Sequence, residues 1–244
     1  MTTNNHFNFS NWVILAPLLA ILTIWTVFLI ELRLGANFNE YGIYPRNLSG
    51  LKGILFSPFL HGSVEHLYNN TIPLAVLISF LMYFYREAAL RTLILGIFIS
   101  GILTWIIGRP SYHIGASGVI YVLASFIFFK GVFAGHFRWI ALSLVIVFIY
   151  GSMIWYIFPI KEGISWEGHL SGFITGLLLA ILIKVRIPLE KKYDWEKEDY
   201  DEGKDTFLKH FDENGNFIEN GVDELDDEKV KINYHYKRKP TDKI

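Results

Sequence analysis

A serine set between glycines and a distant histidine are the residues of this chain whose types suit nucleophilic catalysis. Ser117 lies in the run Gly115-Ala116-Ser117-Gly118, and His169 follows further along the chain. A serine hydroxyl is a weak nucleophile until a neighbouring base takes its proton, and histidine is the commonest such base. A Gly-Ser-Gly cluster alone is more typical of a turn or linker. The interpretation therefore depends on the elements that hold the serine.

The composition places this serine in a membrane protein. Of the 244 residues, 52% are hydrophobic and 16% aromatic, and the mean hydropathy is +0.34, values above those of an ordinary globular domain. The net charge of -1 indicates no class of partner, because the charges lie in loops and in the last quarter of the chain. We expect a lipid bilayer as the surroundings and no nucleic-acid partner. The absence of cysteine excludes disulfides and thiolate metal sites.

Six apolar runs approach the ~20 residues that a helix needs to cross a bilayer core. Helices are expected because an open sheet edge cannot lie in lipid. The predicted fold class is an all-α membrane protein with six transmembrane helices and a polar C-terminal tail. The runs are Trp12–Leu32, Val64–Tyr85, Leu90–Ile107, Ala116–Phe129, Trp139–Phe158 and Trp166–Val185.

These runs divide the chain into an N-terminal tail at 1–11, a six-span domain at 12–187 and a charged, water-exposed tail at 188–244. Lys and Arg are more frequent in the loops on the side of the N-terminus, which predicts cytoplasmic termini in a multi-pass protein of the cell membrane. The loop between the first two spans is expected to form short amphipathic pieces at the membrane surface. In the tail, Glu213-Asn214-Gly215-Asn216 predicts the turn of a small hairpin.

Polar side chains on three predicted helices lie at a common depth. Counting ~1.5 Å per residue from the cytoplasmic end of each helix places Ser117 about 20 Å and His169 about 22 Å above that surface. The same count places Asn70 at about 22 Å and His66 at about 28 Å, one turn apart on one face. A charged group at mid-bilayer costs about 2.5–3.5 kcal/mol, so such residues are functional candidates.

The run that Ser117 opens is too short to cross the membrane alone, so its N-terminus is expected inside the bilayer. Tyr112–Gly115 would then line an enclosed, water-filled cavity. The free N–H groups of a helix N-terminus suit an oxyanion at Ser117.

Small residues on the sixth run predict a close approach to the fourth. His169, Gly172 and Gly176 form one helical stripe, and small residues at such spacing let two helices meet. On the fourth run, Gly118 offers the matching gap, and the ring of Tyr121 is expected to pack against the imidazole.

Three motifs in this order make the sequence resemble the rhomboid intramembrane serine proteases, whose pattern is His-x-x-x-Asn, then Gly-x-Ser-Gly, then His-x-x-Gly-x-x-x-Gly. The resemblance covers Trp12 to Arg186. In the first outer loop the chain has Tyr44-Pro45-Arg46 where the family often carries a Trp-Arg pair. The matching segments are His66-Leu67-Tyr68-Asn69-Asn70, Gly115-Ala116-Ser117-Gly118 and His169-Leu170-Ser171-Gly172-Phe173-Ile174-Thr175-Gly176.

The resemblance implies a six-helix rhomboid-like bundle that cleaves the transmembrane segments of membrane-protein substrates, without cofactor or metal. It implies that Ser117 is the nucleophile and His169 the general base. The oxyanion donors would be His66, Asn70 and the backbone amide of Ser117. His61 would organise the first loop. The supporting residues would be Gly115, Ala116, Gly118, Tyr121, Gly172 and Gly176.

Other interpretations of these residues stay open. Ser117 could cap the start of its helix, and His169 could be a buried histidine bonded to a carbonyl. His66 and Asn70 could serve as interhelical contacts. The whole chain could be a rhomboid-like scaffold that binds membrane segments without cutting them.

Two residues near the motifs are not expected to take part directly. Glu167 resembles a third catalytic residue, but residues two apart on a helix do not face each other. We therefore expect a dyad, with Glu167 a solvated interface charge. His113 is expected to be a solvated loop histidine.

Overall fold

The computed structural model describes residues 9–185, 193–205 and 207–218. Over these residues the fold is all-helical, which confirms the predicted all-α class, and strand pairing is limited to two isolated bridges. The chain divides into two compact units, Met1–Pro188 and Leu189–Ile244. The α-helices are α1 (Trp12–Leu34), α2 (Gly53–Phe56), α3 (Val64–Phe84), α4 (Arg86–Ile107), α5 (Ser117–Phe133), α6 (Phe137–Tyr150) and α7 (Trp166–Leu182).

Helix length separates the apolar helices into two classes. Among the described residues, four segments are long and apolar enough to cross a membrane, namely α1, α3, α4 and Phe137–Ile157, which joins α6 to the 3-10 segment Gly151–Ile157. The apolar helices α5 and α7 have 17 residues each, or about 25 Å at 1.5 Å per residue. That length falls short of a ~30 Å hydrocarbon core.

The two short helices lie side by side at the centre of the first unit. Nine of the 17 residues of α5 are buried, as expected for a helix that is apolar on every side. The glycines of α7 permit the contact. A Cβ on Gly172 would lie 2.3 Å from the carbonyl oxygen of Gly118, and one on Gly176 would lie 2.4 Å from that of Val122. Backbone therefore meets backbone along this interface.

The segment between α1 and α3 consists of short helical pieces, α2 and the 3-10 helices Phe38–Tyr41, Leu48–Lys52 and Ser57–Phe59. Short polar side chains cap two of them, since Asn37 accepts from the amide of Asn39 and Asn47 from that of Ser49. Several contacts fasten the segment to the rest of the unit, among them main-chain contacts of Ile43 and Arg46. Ile43 and His113 form an antiparallel bridge, and the amide of Arg46 donates to the carbonyl of Trp105.

In the described part of the second unit, the chain reverses at the turn expected from Glu213-Asn214-Gly215-Asn216. Phe211 and Phe217 form an isolated antiparallel bridge on either side of it. The carboxylate of Asp212 accepts from the amides of Asn214 and Asn216, which is the Asx geometry that stabilises tight turns. The predicted hairpin is thus reduced to one bridge around a turn.

Candidate active site

Ser117 is the first residue of α5, and the preceding glycine shapes its approach. Gly115 has φ +111°, a conformation that side chains rarely tolerate, and its amide donates to the carbonyl of Ser57. A Cβ at Gly115 would lie 2.7 Å from the ring of His66 and 3.8 Å from the hydroxyl oxygen of Ser117. The missing side chain therefore leaves the His66 imidazole and the Ser117 hydroxyl facing one space.

The start of α5 is suited to hold negative charge. The N-cap residue is Ala116, which makes no side-chain cap, so the interpretation of Ser117 as the N-cap is wrong. Because alanine has no polar side chain, the first amide groups of the helix lack the usual side-chain acceptor. These N–H groups and the helix dipole favour an anion beside Ser117.

His169 lies in the first turns of α7 and is held from two sides. Its ring stacks on that of Tyr121, with centroids 4.4 Å apart and an angle of 14° between the planes. Its Nδ1 lies 3.0 Å from the carbonyl oxygen of Tyr156. A carbonyl only accepts, so Nδ1 carries the proton and Nε2 of the neutral ring is left as an acceptor. This is the tautomer that a general base requires.

Packing of α5 on α7 brings the two motifs together. A Cβ on Gly118 would lie 3.7 Å from the carbonyl oxygen of Gly168, one residue before His169. In the part of the chain that the structure describes, the Ser117 hydroxyl makes no hydrogen bond to His169. Catalytic hydrogen bonds are often long before substrate binds, and here the first turns of the two helices are already in contact.

His66 and Asn70 lie one turn apart on α3, as the sequence predicts. Asn70 is 4% exposed, and its side-chain amide donates to the carbonyl of His66 over 2.9 Å. The amide nitrogen has a second proton for another acceptor. His66 packs edge to face on His61, with ring centroids 5.1 Å apart.

His61 is buried and contacts the ring of His66. It is 1% exposed, and its Nδ1 lies 3.3 Å from the carbonyl oxygen of Phe59. Burial and the neighbouring His66 lower the pKa of His61 to about 4, so the ring is neutral at neutral pH.

Glu167 and His113 are both buried, and the expectation that they are solvated is wrong. Glu167 is 1% exposed and lies 3.6 Å from the Arg109 guanidinium, while the Arg109 amide donates to its other oxygen. The carboxylate is tolerated because it sits in the first turn of α7 beside a cation. His113 is 4% exposed and contacts Ser165 and Arg109. No sequence pattern marks either contact.

A small cavity of about 40 Å³ opens beside Ser117. Its wall combines apolar residues with polar side chains from the 3-10 helix Ser57–Phe59, α4, the loop before α5 and the N-cap of α7. Such a cavity offers partners for water. The polar lining residues are Ser57, Ser100, Thr104, His113 and Ser165.

Comparison with known proteins agrees with the motifs. The model of the Rhomboid domain matches residues 49–186. An uncharacterized protein of Mycobacterium tuberculosis is 37% identical over 171 residues, which cover 66% of this chain and 70% of that protein. An uncharacterized protein of Mycobacterium leprae is 33% identical over 171 residues, or 66% of this chain and 67% of that protein. With its long apolar helices, this is a membrane protein, and the chain belongs to the rhomboid family, whose members are generally serine intramembrane proteases.

Proposed function

We propose that this chain is an intramembrane serine endopeptidase that cleaves transmembrane segments of membrane proteins with a Ser117–His169 dyad. The observation that carries the proposal is the contact between the starts of α5 and α7 together with the orientation of His169. Because Nδ1 is committed to the carbonyl of Tyr156, Nε2 remains to take a proton.

In the proposed reaction, Nε2 of His169 removes the hydroxyl proton of Ser117 as the oxygen attacks the carbonyl carbon of the substrate. The tetrahedral intermediate collapses to an acyl-enzyme, and the leaving amine takes the proton from His169. Water, activated by the same imidazole, then hydrolyses the ester. The cavity beside Ser117 supports this step, because its polar side chains offer hydrogen-bond partners to a water molecule.

We assign the oxyanion to the backbone amide of Ser117, with His66 and Asn70 as side-chain donors. Two features support the assignment. The start of α5 has no side-chain cap at Ala116, and the His66 ring faces the position that a Cβ of Gly115 would fill. Preorganised donors of this kind are each worth about 10²–10³-fold in turnover.

The proposed topology has six membrane-spanning helices, α1, α3, α4, α5, Phe137–Ile157 and α7, with both termini in the cytoplasm and the chain in the cell membrane. The Lys and Arg distribution supports this orientation. The short helices α5 and α7 would be enclosed by the longer ones. Substrate would arrive from the bilayer beside Met153 and Trp155, of which Trp155 is 63% exposed.

The test is cleavage of a single-span reporter in liposomes by purified protein. Ser117→Ala and His169→Ala should each abolish cleavage and labelling by a fluorophosphonate probe. Asn70→Ala should slow cleavage by about 10²–10³-fold. Matched controls of the same residue types are Ser49→Ala, at an exposed serine, and His136→Gln, at the N-cap of α6. Both should leave turnover unchanged.

Turnover that survives Ser117→Ala or His169→Ala would contradict the dyad. A wild-type protein that binds the reporter but neither cuts it nor reacts with the probe would instead be a rhomboid-like binding scaffold.

A further inference from the structure

We propose that His113 and Ser165 form a positioning pair that holds the loop carrying Ser117 against the start of α7, which carries His169. This inference rests on the proposed proteolytic function. It concerns two residues outside the three motifs, and neither is assigned to touch the substrate.

Both ring nitrogens of His113 are engaged, which fixes the direction of its bonds. Nε2 lies 3.1 Å from the carbonyl oxygen of Arg109 and must donate to it, because a carbonyl has no proton. In the neutral ring Nδ1 is then an acceptor. It lies 2.6 Å from the hydroxyl oxygen of Ser165, so the serine donates.

The neutral ring that this bond requires is consistent with the surroundings of His113. Burial lowers its pKa, while the bond to the Arg109 carbonyl and the charge of Glu167 act in the opposite direction and the charge of Arg109 adds to the lowering. With both nitrogens bonded, His113 has no free atom for proton transfer to a substrate. Its role is therefore indirect.

Ser165 connects His113 to the catalytic helix. It is the N-cap of α7, and its hydroxyl oxygen accepts from the amide of Gly168 over 3.3 Å. Its carbonyl accepts from the amide of His169 over 3.1 Å. One hydroxyl thus donates to the loop before α5 and accepts from the first turn of α7. A shift of Ser165 would move the backbone of His169 with it.

The main chain of His113 is clamped as well. It exchanges both backbone hydrogen bonds with Ile43, at 2.9 and 3.0 Å. A Cβ on Gly108 would lie 2.8 Å from Nε2 of His113, so the ring fits against bare backbone and has little room to shift. Four residues later the chain reaches Ser117. The pair therefore ties the nucleophile and the base to one fixed point.

The test compares kcat and KM for the liposome reporter in His113→Leu, Ser165→Ala and the double variant. His113→Leu removes the contact but keeps the helix cap. It should lower kcat by about 10²-fold, the loss typical of a ~1 Å misplacement, with KM unchanged. Ser165→Thr keeps the hydroxyl and should restore kcat. The double variant should lose no more than the more affected single variant, because the two act through one bond.

Substrate affinity measured in a Ser117→Ala background should be the same with and without His113→Leu. His136→Gln serves as the histidine control. If His113→Leu does not fold, the kcat values of Ser165→Ala and Ser165→Thr are compared instead, because only the threonine keeps the hydroxyl that bonds to His113. A folded His113→Leu with wild-type kcat, or a loss confined to KM, overturns the inference. A wild-type protein that does not cleave overturns the proposed function and, with it, the pair.

Discussion

The ring of Tyr121 stacks on that of His169 while both residues are tied to the same short segment of chain. The Tyr121 hydroxyl donates to the carbonyl of Met153 over 2.6 Å, and Nδ1 of His169 donates to that of Tyr156 over 3.0 Å. Both carbonyls belong to the 3-10 segment Gly151–Ile157. The imidazole is thus fixed by a ring below it and a carbonyl beside it.

This arrangement predicts different effects for two changes at Tyr121. Tyr121→Phe keeps the stacked ring and loses the bond to Met153, so kcat for the reporter should fall only a few-fold. Tyr121→Ala removes the ring that orients His169 and should lower kcat by about 10²-fold. Steady-state kinetics on folded protein would measure both. Equal losses in the two variants would mean that the hydrogen bond, and not the stacking, holds the imidazole.

Gly172→Ala should destabilise the fold. The new Cβ would lie 2.3 Å from the carbonyl oxygen of Gly118 and 2.9 Å from the Cβ of Tyr121, so α5 and α7 must separate. Overpacking of this kind costs about 1–3 kcal/mol, and here the obstacle is backbone. Thermal unfolding in detergent would report it. The control is Gly62→Ala, whose Cβ would meet its nearest neighbour at an ordinary 3.6 Å. Equal unfolding temperatures for the two variants would contradict the close contact.

Arg109→Gln should destabilise the protein more than Glu167→Gln does. Loss of the cation leaves the carboxylate of Glu167, 1% exposed, without its ion-pair partner. A fully buried pair costs about 3–5 kcal/mol to break from one side. We expect about 1–3 kcal/mol, because the Arg109 side chain is 42% exposed and exposed charges are screened.

Glu167→Gln leaves unpaired only the Arg109 cation, which solvent screens because the side chain is 42% exposed, and it keeps an acceptor for the Arg109 amide. The double variant Arg109→Gln with Glu167→Gln should therefore be more stable than Arg109→Gln alone. Denaturation in detergent at neutral pH would rank the three proteins. A double variant no more stable than Arg109→Gln would contradict the cost assigned to the uncompensated carboxylate of Glu167.

Acid should destabilise the fold through His61. In the unfolded chain the His61 ring binds a proton below pH 6.5, its usual pKa. In the folded protein its pKa is about 4, so the ring stays neutral down to that pH. The unfolded state therefore holds more protons between these values, and stability rises with pH. The contribution of His61 is complete above pH 6.5 and is lost as the pH falls through about 4.

Unfolding temperatures measured in detergent across this range should show a shallower acid loss in His61→Gln than in the wild type. An unchanged slope in His61→Gln would assign the acid sensitivity to other groups.

The sequence predicted the elements that carry the motifs because local signals define them. The apolar run from Trp12 and the one from Val64 begin where α1 and α3 begin, and the glycines around Ser117 mark the start of α5. The end of the run from Trp139 was less predictable. Its last residues keep their hydrophobicity but form the 3-10 segment Gly151–Ile157, and hydrophobicity does not distinguish that geometry from an α-helix.

The burial of Glu167 and His113 was not predictable from the sequence for a different reason. Arg109 and Glu167 are 58 positions apart, and His113 and Ser165 are 52 apart. A carboxylate at the start of a helix is expected to be solvated unless the partner that compensates its charge is known. Only the packing of the loop before α5 on the start of α7 supplies that partner.

The bare backbone contact between Gly172 and Gly118 also sets which parts of the molecule are able to move. With no side chain between them, α5 and α7 have little room to slide before main-chain atoms collide, so we expect them to move together. We therefore expect any opening to involve elements outside this pair, such as α6, whose Phe148 is 92% exposed. Motions of that kind take microseconds to milliseconds. We thus expect the pair α5 and α7 to move less than the elements around it.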